Sequence, residues 1–166
     1  MAARPAPPVI SPRANKQAAW KTIMVIDPDE EVRTRVVELL REAAEKAEVS
    51  EDNRNLAIHE AENGNAAWAL VELIKPDLVV SEILIEGLSG LQLLRRLHER
   101  YGEDAPAVLF VTSMSNEVDR YWALRNKAMA YVIKPFDDDF LRSRAIKFFE
   151  DRSAGGLDLD ANWIAD

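Results

Sequence analysis

The sequence predicts an α/β domain, a parallel sheet of five strands with helices on both faces. Two observations predict it. Short apolar runs recur along the chain, each ended by polar, glycine or proline residues. Between them lie stretches with apolar residues at helical spacing. Strands that alternate with helices in this way require right-handed crossovers, and these cover both faces of the sheet. A length of 166 residues favours one such domain with a segment on either side.

The elements follow in order. Residues 1–19 carry Pro5, Pro7, Pro8 and Pro12 with little apolar periodicity, so they are expected to be a flexible tail. Thr22 to Ile26 is a β-branched apolar run stopped by Asp27-Pro28, which reads as a strand buried on both faces. Asp29-Glu30-Glu31 places acids in a helix first turn, where the macrodipole favours them. Val32, Val36, Leu39, Leu40 and Ala43 carry that helix to about Ala47. Glu48 to Asn55 is polar and reads as a loop. Leu56 to Ala61 is a second strand, Asn63-Gly64 a turn, and Ala66 to Ile74 a helix ended by Lys75-Pro76.

The alternation continues with a strand at Leu78 to Val80, a loop at Gly87 to Gly90, and a helix from Leu91 to Tyr101 with Leu91, Leu94 and Leu97 inward. A strand at Ala107 to Val111 and a helix from Asn116 to Asn126 come next. The last strand is Ala130 to Ile133, and the last helix runs from Asp137 to Glu150 with Leu141, Ala145 and Phe148 on one face. Asp137-Asp138-Asp139 reads as the cap of that helix. The domain is thus expected over 20–151, and 152–166 as a flexible acidic tail.

Composition narrows the function classes. Hydrophobic residues make up 48%, enough for a core, yet no uninterrupted apolar run reaches the ~18 residues of a membrane span. Met1 to Gln17 lacks the apolar centre of a signal peptide. With no cysteine, disulfide frameworks and thiolate metal sites are excluded. These features together suit a cytoplasmic protein. A net charge of −8 does not suit a binder of nucleic-acid backbones, which draws its affinity from Lys and Arg. The charge is uneven. Arg4, Arg13, Lys16 and Lys21 precede the first acid, whereas Asp158, Asp160 and Asp166 follow the last base.

Sites in open parallel sheets lie at the carboxyl ends of strands. This rule gathers Asp27, Asp29, Glu82, Thr112, Ser113 and Lys134 at one edge. Carboxylates there suit Mg²⁺, which takes oxygen ligands, and the lysine and hydroxyl suit a phosphoryl group. His59 and His98 have no ligand-like spacing and read as ordinary surface or satisfied histidines.

At these residues the chain resembles the receiver domains of response regulators. Pro76-Asp77-Leu78-Val79-Val80-Ser81-Glu82, with Gly90 closing the next loop, resembles their phosphoacceptor segment. Val111-Thr112-Ser113 resembles their hydroxyl-bearing strand end, and Tyr131-Val132-Ile133-Lys134-Pro135-Phe136 their lysine–proline motif with its aromatic switch residue. Thr112 lies 30 residues after Glu82, and Lys134 a further 22 on, as in the family. The resemblance covers about 20–151 and implies a flavodoxin-like, CheY-like fold with strand order 2-1-3-4-5. It further implies bacterial two-component signalling.

The chain also departs from the family pattern. The acceptor position holds Glu82 in place of aspartate. Pro28 replaces the second of two adjacent acids, leaving Asp27 with Asp29 one residue further on. Glu86 stands for the usual loop proline and Lys127 for the usual glycine before the last strand. An extra methylene moves the Glu82 carboxylate outward, and reaction geometry is sensitive to such a shift. The expectation is a degenerate site (Glu82, Asp27, Asp29, Thr112, Lys134) without phosphotransfer or catalysis, and without a cofactor. Mg²⁺ would require Asp27, Asp29 and Glu82 together. Two states of the site stay open: Glu82 reaching Lys134 and Thr112 to hold an active-like arrangement, or an inert scaffold.

With no helix-turn-helix segment after residue 151, output is expected through a protein partner or a second copy, on the fourth helix, fifth strand and fifth helix. Thr112, Tyr131, Trp122, Lys127 and Arg142 are the residues expected to serve as switch or contact there, with Tyr121 inward and Trp122 either outward or half-buried at the helix edge. The acidic tail with Trp163-Ile164 reads as disordered chain, as a docking peptide, or as a segment that pairs with the basic N-terminus of a neighbouring copy. Two rival readings remain: a working receiver that responds to phosphorylation or metal, and a haloacid-dehalogenase-like phosphotransferase using Asp27 within Asp27-Pro28-Asp29.

Overall fold

Apolar residues that alternate sides along a central strand must meet a core on each side, and β1 (Thr22–Ile26) does so. Ile23 and Val25 enter one core; Met24 and Ile26 enter the other. The structure, a computed structural model, describes residues 22–47 and 56–153, with side chains to 150. The remaining elements are α1 (Glu30–Lys46), β2 (Ala57–Ala61), α2 (Gly64–Ile74), β3 (Leu78–Ser81) and α3 (Gly90–Tyr101). After a 3₁₀ turn at Gly102–Asp104 come β4 (Ala107–Thr112), α4 (Glu117–Arg125), β5 (Ala130–Ile133) and α5 (Asp138–Ser153). All four strand pairings are parallel, in the order β2-β1-β3-β4-β5.

The first core joins α1 and α5 to the sheet through Val36, Leu39, Leu40, Leu141, Ala145 and Phe148. The second joins α2, α3 and α4 through Ala67, Val71, Leu93, Leu94, Leu97 and Ala123. In α3 the inward set includes Leu93, and Leu91 sits only at the edge, one turn position from the sequence expectation. Caps follow local chemistry: Asp29, Asn63, Ser89 and Asn116 each accept from a backbone N–H in the first turn of their helix. Asp137 likewise accepts from the Phe140 N–H at the start of α5. Arg35 pairs with Asp138, and Arg142 with Glu42, stitching α1 to α5. No helix among the described residues is long and apolar enough to cross a membrane. The expected tails and the 48–55 loop lie outside the described residues.

Lys127, between α4 and β5, has φ = +70°, in the left-handed region where a Cβ is unfavourable. Its side chain is exposed. Glycine there removes the steric cost, partly offset by greater unfolded-state entropy. Lys127→Gly is expected to raise the unfolding free energy by about 0.5–1 kcal/mol, read as a higher urea midpoint at unchanged slope.

Candidate functional site

Strand register brings the site together. Ile26 pairs with Ser81, Ser81 with Phe110, and Thr112 with Ile133. The next residues, Asp27, Glu82 and Lys134, therefore leave the sheet at neighbouring points. Backbone bonds hold them there: Asp27 N–H to Ala61 O, Glu82 N–H to Ile26 O, and Lys134 N–H to Thr112 O. Side-chain alternation places Asp27 beyond Ile23 and Val25, and Glu82 beyond Leu78 and Val80, on the α1–α5 side. Thr112 follows Phe110 on the opposite side. Gly90 packs behind Glu82: a Cβ there would lie 2.6 Å from the Glu82 carbonyl oxygen.

Lys134 Nζ lies 2.7 Å from Asp27 Oδ2 and 3.1 Å from Glu82 Oε2. Both acids are 3% exposed, so one ammonium neutralises two buried carboxylates in part. The Glu82 contact is of charge, without hydrogen-bond alignment. Burial pulls the ammonium down, but the hydrogen bond and charge of Asp27, then the charge of Glu82, outweigh it. Its pKa is raised above the ordinary 10.5.

The other Glu82 oxygen, Oε1, accepts from Thr112 Oγ1 at 2.9 Å and from the Leu84 N–H at 3.2 Å, with Ser113 Oγ at 3.5 Å. Thr112 Oγ1 in turn accepts from the Met114 N–H at 3.1 Å. Tyr131 is buried and donates to the Met114 carbonyl at 2.8 Å. Its pKa is pushed up to about 12, first by burial, then by Asp119 and Glu82, with Arg120 opposing. The phenol therefore stays a donor at neutral pH. A continuous path runs from Lys134 through Glu82, Thr112 and the 112–114 backbone to Tyr131.

Three of the four carboxylate oxygens of Asp27 and Glu82 accept from protein donors, and the fourth, Glu82 Oε2, faces the Lys134 charge. Asp27 Oδ1 accepts from the Asp29 N–H at 2.9 Å, and its Oδ2 faces Lys134. Pro28 has no ligating atom. Asp29, expected among possible metal ligands, instead spends its carboxylate capping α1 through the Glu31 and Val32 N–H groups. No group of three His, Cys, Asp or Glu able to hold a metal occurs among the described residues. The donor set does not fit Mg²⁺, and Asp27 and Asp29 do not converge as a paired Asp-x-Asp site would.

The expected contact surface needs correction. Tyr121 is exposed (63%), and Trp122 packs half-buried against the second core. Ala123 is the α4 residue nearest the sheet. At ~100° per residue, Tyr121 lies ~200° round from it, facing solvent. Tyr131 is inward and cannot be a surface contact. Arg142 is held by Glu42 and Asp139 at the α1–α5 seam. Of that set, Lys127 is exposed and Thr112 is fully buried.

One participant escaped the sequence reading. Arg33 is 8% exposed; its Nη1 donates to the Asp27 carbonyl at 2.7 Å, and its Nε pairs with Glu60 at 3.3 Å. Its spacing with Val36 and Leu40 on the inner face of α1 was the available signal.

The sequence profile described as the response regulator receiver domain matches residues 23–146. Protein PilH of Pseudomonas aeruginosa is 38% identical over 81 residues, 49% of this chain and 67% of that protein. The positive alginate biosynthesis regulatory protein of the same organism is 31% identical over 68% of this chain, which spans only 41% of that longer protein. Among solved structures, chemotaxis response regulator CheY4 of Vibrio cholerae matches 78% of this chain and 98% of its own, with TM-score 0.61 and 14% identity. The receiver domain of NarL from Mycobacterium tuberculosis matches 81% and 97%, with TM-score 0.62 and 22% identity.

Lys134→Met leaves two buried carboxylates without their cation. It is expected to cost about 3 kcal/mol of stability at pH 7, the low end for breaking a buried pair because the lysine is partly exposed. The wild-type contribution is fully present below pH 10.5, since the folded pKa is raised, and is lost as pH rises through that raised value. Urea titrations should show the gap between the two proteins steady from pH 7 to 10 and narrowing above.

Proposed function

Since the chain belongs to the response regulator receiver domain family, we propose that it is a pseudo-receiver, signalling through protein–protein contact without phosphorylation. One observation carries this: Glu82 Oε1 accepts from Thr112 Oγ1 while its Oε2 faces Lys134. The glutamate carboxylate thus makes, permanently and within the chain, contacts to the hydroxyl and lysine that the family resemblance assigns to gripping a phosphoryl group. Thr112 is drawn toward the site and Tyr131 is turned in, as an active-like arrangement requires.

Acceptor chemistry is poorly served by the same geometry. The Glu82 carboxylate is buried, crossed by three protein donors on one oxygen and faced by an ammonium on the other. No Mg²⁺ assists it, because Asp27 is committed to Lys134 and Asp29 to α1. The role that remains is a domain of fixed shape, acting in the cytoplasm as an adaptor. It presents α4 and β5 to a protein partner, with exposed Val118, Tyr121 and Lys127 as contact points.

Incubation with acetyl phosphate and Mg²⁺ is the direct test. Intact mass should show no phosphoryl adduct, and the amide spectrum should stay unchanged at Thr112, Met114 and Tyr131. An adduct would sink the reading in favour of a working receiver. Glu82→Gln, which keeps an acceptor but loses the charge, should shift those same three amides by weakening the hold on Thr112.

A further inference from the structure

A groove of about 450 Å³ lies along the free edge of β5, between α4 and α5. It is lined by Ile133, Pro135, Phe136 and Phe140, with Arg120 at its α4 side and the exposed acid Asp137 at the start of α5. Half-buried Ile133, Phe136 and Phe140 with exposed Pro135 thus form an apolar floor, with one cation and one acid at the rim. Arg144 stands over the Phe140 ring, 4.9 Å from its centroid, which places a second cation on the groove side of α5. Lys147 follows one turn on. Phe140, Arg144 and Lys147 form a stripe at helical spacing that runs from the groove toward the end of the helix.

The chain beyond α5 has the complementary composition. Residues 154–166 contain Leu157, Leu159, Trp163 and Ile164 with Asp158, Asp160 and Asp166, and no basic residue. Reach is sufficient. From Ser153 back to Phe140 is 13 helical residues, about 20 Å at 1.5 Å each. Trp163 lies ten residues past Ser153, up to ~33 Å of extended chain. A segment folding back along α5 brings Asp158 and Asp160 past Lys147 and Arg144, and leaves Trp163 and Ile164 over the groove.

We propose that residues 157–164 of the same chain cover the α4–β5–α5 groove, with Trp163 and Ile164 as apolar anchors and Asp158 and Asp160 held by the Arg144–Lys147 stripe. A buried Trp beside a polar rim is the composition of an effective anchor. Tethering makes the contact intramolecular, so modest affinity suffices to hold it closed. Where the partner-facing role proposed above holds, a partner must displace this segment to reach β5, and the segment then acts as an internal competitor.

The chain has no cysteine, so Ala161→Cys gives a unique attachment point for a nitroxide on the full-length protein. Amide signals of Ile133, Phe136, Phe140 and Arg144 are expected to lose most of their intensity in the oxidised form, while Leu73 on α2 keeps its own. Adding Trp163→Ala and Ile164→Ala should restore the lost signals, and so should Arg144→Glu to a lesser degree. Loss spread evenly over the surface, or centred away from the groove, overturns the proposal. So does loss that appears only between labelled and unlabelled chains in a mixed sample, which would place the segment on a second copy. A phosphoryl adduct on Glu82 would overturn the pseudo-receiver reading and leave this result untouched.

Discussion

One ammonium group between two buried carboxylates is the interaction on which the rest of the site depends. Without Lys134, Asp27 and Glu82 would be two like charges at adjacent strand ends, each almost wholly removed from water. Such a pair is expensive unless neutralised. The lysine settles more than charge. It fixes which oxygen of each acid faces inward, so the other oxygen of Glu82 is aimed at Thr112. Arg33 supports the arrangement from the β2 side by binding the Asp27 carbonyl. The site is therefore filled by its own side chains.

The position of Glu82 links the two faces of the sheet. Its parity places it with the α1–α5 core, while Thr112 shares parity with Phe110 and Tyr131 on the other side. The hydrogen bond across β3 and β4 joins the two sets. Tyr131 packs edge-on against Phe110, with ring centroids 6.1 Å apart, and its hydroxyl binds the Met114 carbonyl. Glu82 is thus connected through a hydroxyl, a short loop and an aromatic ring to the β4–α4 junction. That junction borders the most exposed apolar residues of α4, Val118 and Tyr121. This connects site geometry to surface geometry by contacts that can be named one by one.

Most of the fold was legible because its signals are local and mutually consistent. Five apolar runs, five amphipathic stretches and side-chain caps all agree on one topology, and strand ends then follow from where each run stops. The convergence of Asp27, Glu82, Thr112 and Lys134 was legible for the same reason, since parallel sheets bring their carboxyl ends to one edge. Orientation within an element was less so. In α4 only Ala123 is fully buried, so the helix carries too narrow an apolar stripe to show which of Tyr121 and Trp122 turns in. Arg142 reads as a surface cation, and only the packing of α1 against α5 brings Glu42 to it. The fate of Asp29 was set by competition: a carboxylate at an N-cap can satisfy two backbone N–H groups at once, and that local demand won over the site.

The replacements at the site make physical sense only as a set. Pro28 removes a ligand and also ends β1, leaving Asp29 to start α1. With that acid gone, a divalent ion would have too few oxygens, and the negative charge left on Asp27 and Glu82 matches a single lysine better than it matches a dication with fixed ligand demands. The longer side chain of Glu82 is what allows one residue to meet both Lys134 and Thr112. An aspartate at that place would fall short by roughly one carbon–carbon bond, about 1.5 Å, of one or the other. A phosphoryl group, with its several oxygens, could span them. The glutamate supplies from within the chain the bridge between lysine and hydroxyl.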